Sequence, residues 1–187
     1  MAPLLEKADK DSNVEVYFGD AVHIIYGAEL GSSWCIERQN VKSAYGRKRF
    51  NVMGAVNSVT NETIIVSNDS YITSQEIVAL LKKAREKNAD KEVYLFLDNA
   101  KYQKCELVRK ASEEYNICIV YLPTYSPNLN LIERLWKFLR KQCLRNKYHL
   151  NFEAFSASIL DCLSKTHTLF CDKLNKLLAH NFEALGI

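Results

Sequence analysis

Apolar and polar positions alternate from Val14 through Val16 to Phe18, which predicts a strand that delivers Asp20 at its end. Ala21 to Tyr26 and Ser33 to Glu37 read as short continuations around turns at Gly27 and Gly31, with Trp34 in the core. A turn at Tyr45-Gly46 leads into a strand from Phe50 to Val56, and Ser58 to Asn61 turns the chain back into Glu62 to Val66. Together these make a meander of three strands. The first ten residues, mostly polar around Leu4 and Leu5, read as a loose lead-in.

The second half changes period. Thr73-Ser74-Gln75-Glu76 has the form of a capping box, and Ile77, Leu80, Leu81 and Ala84 supply the apolar stripe of the helix it opens. Val93 to Leu97 is apolar on both faces, the mark of a parallel strand buried on both sides, and it stops on Asp98. Tyr102 to Tyr115 has a helical pattern, Ile117 to Leu122 forms a further strand stopped by Pro123 and Pro127, and a helix follows from Leu129 to Asn146. Asn151 caps a helix using Phe152, Phe155, Ile159, Cys162 and Leu163, and a last helix uses Phe170, Leu174, Leu177, Leu178 and Phe182.

Composition narrows the class. A chain of 187 residues with 48% hydrophobic residues, three Pro and six Gly suits one globular domain with a full core. No run approaches the ~18 apolar residues of a membrane span. The N-terminus lacks the basic start and apolar core of a signal peptide, which makes the cytoplasm the default location. The six cysteines form no C-x-x-C pair and read as reduced, buried thiols, and the four histidines are too scattered for a ligand cluster.

Net charge is only +3, but residues 101–150 hold ten Lys or Arg against four acids, a local excess of six. Such a zone suits a polyanionic substrate, although an ordinary charged helix surface has the same composition.

Two carboxylates stand out against this background. Asp98 follows a buried strand and so lies at the carboxyl edge of a sheet, where open α/β folds place their ligands. On the helix after Pro127, Ile132, Leu135, Trp136, Leu139 and Cys143 fall on one stripe, with Glu133 on its flank and Lys137 and Arg140 further along. An i,i+4 pairing of Glu133 with Lys137 would contribute only a few tenths of a kcal/mol. Two acids at such boundaries point instead to chemistry.

Asp98-Asn99-Ala100-Lys101-Tyr102-Gln103 and the run from Leu122 to Trp136 resemble the second and third acidic motifs of the mariner superfamily of DDE transposases, in particular its bacterial insertion-sequence branch. The 34 residues from 99 to 132 match the usual gap, and Asp20 fits the first acid. The resemblance extends over nearly the whole chain. It departs at Ala21, where Glu often follows the first acid, at Gln103, where His is common, and at Asn128 and Leu131, where P-D-L-N-P is usual.

The resemblance implies a ribonuclease H-like α/β fold, a mixed five-stranded sheet flanked by helices, on which Asp20, Asp98 and Glu133 converge as catalytic and metal-binding residues. It implies two Mg²⁺ or Mn²⁺ ions per active site, hydrolysis at transposon ends by water, and attack of the freed 3′-hydroxyl on target DNA. Arg47, Lys48, Arg49, Lys101, Lys104, Lys137, Arg140 and Lys141 are the expected contacts to double-stranded DNA. A homodimer in the active complex, a separate helix-turn-helix DNA-binding chain, and a bacterial, nucleoid-associated location follow from the same likeness. Too few residues precede Val14 for a helix-turn-helix unit, so residues 1–187 are expected to be the catalytic domain alone. A metal-dependent nuclease without strand transfer, or a non-enzymatic DNA-binding descendant of a transposase, are the alternatives.

Overall fold

The computed structural model describes residues 1–27, 29, 40, 47–123 and 127–179. Its centre is a five-stranded sheet built from β1 (Val14–Ile25), β2 (Arg49–Asn57), β3 (Thr63–Asn68), β4 (Glu92–Leu97) and β5 (Ile117–Tyr121). The strand order is β3-β2-β1-β4-β5. The β1–β2 and β2–β3 pairs are antiparallel, whereas β1–β4 and β4–β5 are parallel.

Helices cover both faces. One face takes α2 (Ser74–Lys87) and α3 (Glu106–Glu114), whose Ile77, Leu80, Leu81, Ala84, Val108 and Ala111 pack with Tyr17, Leu95 and Leu97 of the sheet. The other takes α1 (Ala2–Lys10), α4 (Leu131–Leu139), α5 (Phe152–Ser164) and α6 (Cys171–Leu177), against Val16, Phe18, Val22, Ile24 and Phe96. Alternation along β1 and β4 therefore feeds two cores, and Phe18 stacks on Phe96 across the parallel pair with ring centroids 4.9 Å apart. The capping box of α2 is formed as the sequence predicts, by Thr73 and Glu76.

Several elements differ from the sequence reading. The lead-in is the helix α1: Pro3 sits in its first turn, Lys7 and Lys10 in its last, and Leu5 and Ala8 are buried against the core. β1 does not stop at Asp20 but runs to Ile25, because β2 keeps pairing with it through Ile25↔Arg49 after β4 has ended. The long helix predicted from Leu129 to Asn146 is a 3₁₀ turn (Pro127–Leu129), α4, and a π-helical turn (Arg140–Leu144). The helix predicted from Tyr102 is a 3₁₀ turn (Lys101–Gln103) followed by α3. Cys143 and Cys162 are buried, but Cys118 is exposed because β5 is an edge strand. Leu177 is 38% exposed rather than core. The expectations for Ser33 to Glu37, Tyr45-Gly46 and Phe182 lie outside the described residues. Among the described residues no helix is long and apolar enough to cross a membrane.

Candidate active site

Register brings the first two acids together. The last shared pair of the parallel β1–β4 ladder is Gly19↔Leu97, so Asp20 and Asp98 are the next residue on each strand. Neighbouring strands lie about 4.8 Å apart. Gly19 permits this closeness: a Cβ there would meet Leu97 Cδ2 at 2.8 Å and Leu95 Cδ1 at 3.2 Å. Asp20 follows the alternation of Val16 and Phe18 and faces the α4 side of the sheet.

The third acid comes from that helix. Glu133 lies half-buried in the first turn of α4, where the helix dipole favours a negative charge. Leu131, Ile132, Leu135, Trp136 and Leu139 bury the opposite flank and fix its rotation. Among the described residues Glu133 forms no ion pair with Lys137.

The electrostatics of Asp20 reflect its burial first and the neighbouring acids second. Burial pushes the Asp20 carboxyl up to about 7; a backbone hydrogen bond from Ala21 opposes this, and the charges of Asp98 and Glu133 add to it. The indole N–H of Trp136 lies near enough to favour the Asp20 carboxylate, yet it falls short of hydrogen-bond geometry. Tyr102 is held above the ordinary phenol range by burial and by the charges of Asp20 and Asp98, so it stands beside both acids. Nothing in the sequence separates Tyr102 from a residue opening a helix.

Asn130 ties the parts together. Its Nδ2 donates to Gly19 O and to Asp98 Oδ1, each at 3.1 Å, and its carbonyl accepts from Glu133 N at 3.2 Å. Residues at this end of the sheet also leave polar atoms buried without a partner: Asn99 Oδ1, Gln103 Nε2, Asn130 Oδ1 and Trp136 Nε1. Native proteins rarely leave such atoms unsatisfied unless water, an ion or a ligand completes them.

The three carboxylates and the amide oxygens of Asn99 and Asn130 are donors of the hard, oxygen-rich kind that suits Mg²⁺, whereas Gln103 Nε2 and Trp136 Nε1 are N–H groups that could only donate to an oxygen. As they stand, no three His, Cys, Asp or Glu side chains among the described residues are grouped closely enough to hold one ion. Burial is the main reason the Asp20 carboxyl is raised, and repulsion from Asp98 and Glu133 adds to it.

The basic residues fall into separate groups. Lys101 and Lys104 are exposed on either side of the 3₁₀ turn after Asp98, and Lys104 Nζ lies 5.1 Å from the Tyr121 ring centroid. Lys137 and Lys141 are exposed and, with Phe138, Gln142, Lys173 and Leu177, line a groove of about 430 Å³. Lys173 was not singled out by the sequence pattern. Arg140 is committed elsewhere: the π-helical turn aims it at Glu29, with which it forms an ion pair, and at His23 O, 3.2 Å away. Arg47, Lys48 and Arg49 are exposed, and the Ile25↔Arg49 pair puts Arg49 five residues beyond Asp20, roughly 16 Å along the strand.

A mixed sheet of order 3-2-1-4-5 with helices on both faces is the ribonuclease H-like fold shared by transposase and integrase structures. This chain belongs to the DDE superfamily endonuclease family, whose model matches residues 15–156 and so includes all three acids. It is 29% identical over 136 residues, covering 70% of this chain and 39% of the relative, to the insertion element IS630 uncharacterized 39 kDa protein of Shigella sonnei. Among solved structures it is similar to the Mos1 transposase paired-end complex with left transposon end, at 16% identity and TM-score 0.57, covering 99% of this chain and 61% of that one. It is also similar to the HTLV-2 integrase catalytic core domain in complex with magnesium, at 15% identity and TM-score 0.53, covering 80% and 83%. The chain thus spans 39% of the length of the insertion-element relative and 61% of that of the Mos1 chain, under two thirds in both cases.

Proposed function

We propose that this chain cleaves DNA at the ends of an insertion sequence and joins the freed 3′-hydroxyl to target DNA. The observation that carries the reading is that Asp20 and Asp98 leave adjacent strands one residue past their last shared pair, while Asn130, at the start of the helix that carries Glu133, bonds to Asp98.

In this reading Asp20, Asp98 and Glu133 hold two Mg²⁺ or Mn²⁺ ions, which when bound supply a water of lowered pKa and neutralise charge on the leaving oxygen. Asp20, between the other two acids, is the shared ligand. Lys101 and Lys104 bind the phosphate backbone beside Asp98, and Lys137 and Lys141 bind it along α4, with Arg47, Lys48 and Arg49 further out. Arg140 contributes by positioning the turn that carries Lys141 more than by direct contact. Double-stranded DNA is the substrate, a homodimer brings two ends together, and a helix-turn-helix chain supplies sequence recognition. The Mos1 structures in paired-end and strand-transfer complexes support this assignment by fold alone.

The test is a strand-transfer assay with pre-cut transposon ends and Mg²⁺, with and without a helix-turn-helix chain supplied in trans. Joined products are expected. Hydrolysis without joining would reduce the assignment to a nuclease, and DNA binding with neither step would make the chain a non-enzymatic descendant.

A further inference from the structure

Asn130 occupies the N-cap position of α4, where an Asn side chain ordinarily accepts a hydrogen bond from the second or third backbone N–H of the helix. Here it makes no such cap. The side chain turns inward, is 1% exposed, and directs Nδ2 at two acceptors, Gly19 O and Asp98 Oδ1. Both partners being acceptors, the amide orientation is fixed, and Oδ1 must face away from them. That oxygen is buried and has no partner.

An asparagine that gives up a cap leaves a helix N–H to be satisfied elsewhere, and a buried carbonyl oxygen without a donor is destabilising. Such an arrangement persists when a donor arrives with the ligand. The residue touches the backbone that precedes Asp20, the carboxylate of Asp98 and, through its own carbonyl, the backbone of Glu133.

We infer that Asn130 is a positioning residue of the metal site: its amide N–H group fixes the Asp98 carboxylate, and its free Oδ1 accepts a hydrogen bond from a water bound to the divalent ion. The inference rests on the metal-dependent reading of the three acids. Outer-shell partners of this kind typically change metal affinity by about 10–100-fold when removed.

The experiment uses the full chain and Mn²⁺ alone, without DNA, so that binding is read apart from catalysis. Mn²⁺ affinity is measured by titration calorimetry for the wild type, Asp98→Ala, Asn130→Ala and Asn130→Leu, and thermal unfolding is followed in excess chelator. Asn130→Leu keeps the same branched four-atom skeleton without polar atoms, so it leaves no cavity into which a buried site could collapse. Both Asn130 variants lose the bonds to Gly19 O and Asp98 but no helix cap, so they are expected to stay folded in chelator with a lowered unfolding temperature, and to bind Mn²⁺ at least about tenfold more weakly. If the wild type does not bind Mn²⁺, or Asp98→Ala binds it equally well, the metal reading itself fails. If the wild type binds and Asp98→Ala does not, yet both Asn130 variants match the wild type, the assignment of Asn130 alone is overturned. Loss of the fold in both variants would also overturn it, since Asn130 would then serve the framework.

Discussion

The indole ring of Trp136 lies over Gly54, the residue that faces Asp20 across the β1–β2 ladder, and a methyl group added at Gly54 would meet Trp136 Cη2 at 2.7 Å and Cζ2 at 3.1 Å. A strand glycine normally weakens a sheet. At Gly54 it is what lets α4 approach β1 and β2 closely enough to bring Glu133 over the acids. Gly54→Ala is therefore expected to cost about 1–3 kcal/mol, the usual penalty of overpacking, because Trp136 is buried and its ring cannot swing aside. Urea unfolding measures the loss, and an unchanged midpoint would show that α4 can move without penalty.

A second expectation concerns pH. Burial, then the charges of Asp98 and Glu133, hold the Asp20 carboxyl at about 7, above its unfolded value of about 3.9. The proton-bound form is thus favoured by folding. Its contribution is fully present below pH ~3.9 and is lost as pH rises through about 7, with a limiting slope near 1.4 kcal/mol per pH unit. In chelator, the wild type should lose stability relative to Asp20→Asn across that window. Denaturant midpoints that stay parallel for the two proteins from pH 4 to 8 would mean that Asp20 is not perturbed.

How far the sequence discloses this arrangement depends on whether local pattern or tertiary placement decides. The run Val93 to Leu97 ending on Asp98, the capping box at Thr73 and the stripe on α4 are local, and all three are legible. The extension of β1 past Asp20 is legible only as a separate short continuation over Ala21 to Tyr26; that it is one unbroken strand is decided by how long β2 continues after β4 ends. The π-helical turn is equally hidden: Leu139 and Cys143 keep helical spacing, while the extra residue per turn redirects Arg140 to Glu29 and His23. Asn130 is hidden too: it falls inside the helix predicted from Leu129, and nothing local shows that its side chain reaches Gly19 O and Asp98. The glycine at position 54 gives no sign that it lies under Trp136.

Metal dependence supplies a third expectation. Cleavage or joining should require Mg²⁺ or Mn²⁺ and vanish in excess chelator. Despite ten tyrosines, no covalent protein–DNA intermediate should form. Tyr102 is the residue to watch, since it stands beside Asp20 and Asp98 and burial disfavours its ionised form. Denaturing gels of reactions on end-labelled DNA would reveal a trapped tyrosyl adduct, and such an adduct, or activity without metal, would end the three-carboxylate mechanism.

The last expectation separates chemistry from binding along α4. Glu133→Gln keeps size and hydrogen-bonding capacity but removes the charge a metal needs, so catalysis should be abolished. DNA binding should stay level or strengthen slightly, because one repulsive charge is gone. The complementary variant is Lys137→Ala with Lys141→Ala: both side chains are exposed and line the same groove. It should weaken DNA binding and reduce the slope of log affinity against log salt by up to about 0.9 per lost phosphate contact. Arg140 is a poor choice for this pairing, since Arg140→Ala would break its contacts to Glu29 and His23 O and disturb the turn. Neither chosen variant touches Ile132, Leu135, Trp136 or Leu139, so circular dichroism should report native helix content in both. Single-turnover cleavage and binding across a salt series then give two independent readouts. Near-normal cleavage by Glu133→Gln in Mg²⁺ would remove Glu133 from the active site, and the proposed function would fall with it.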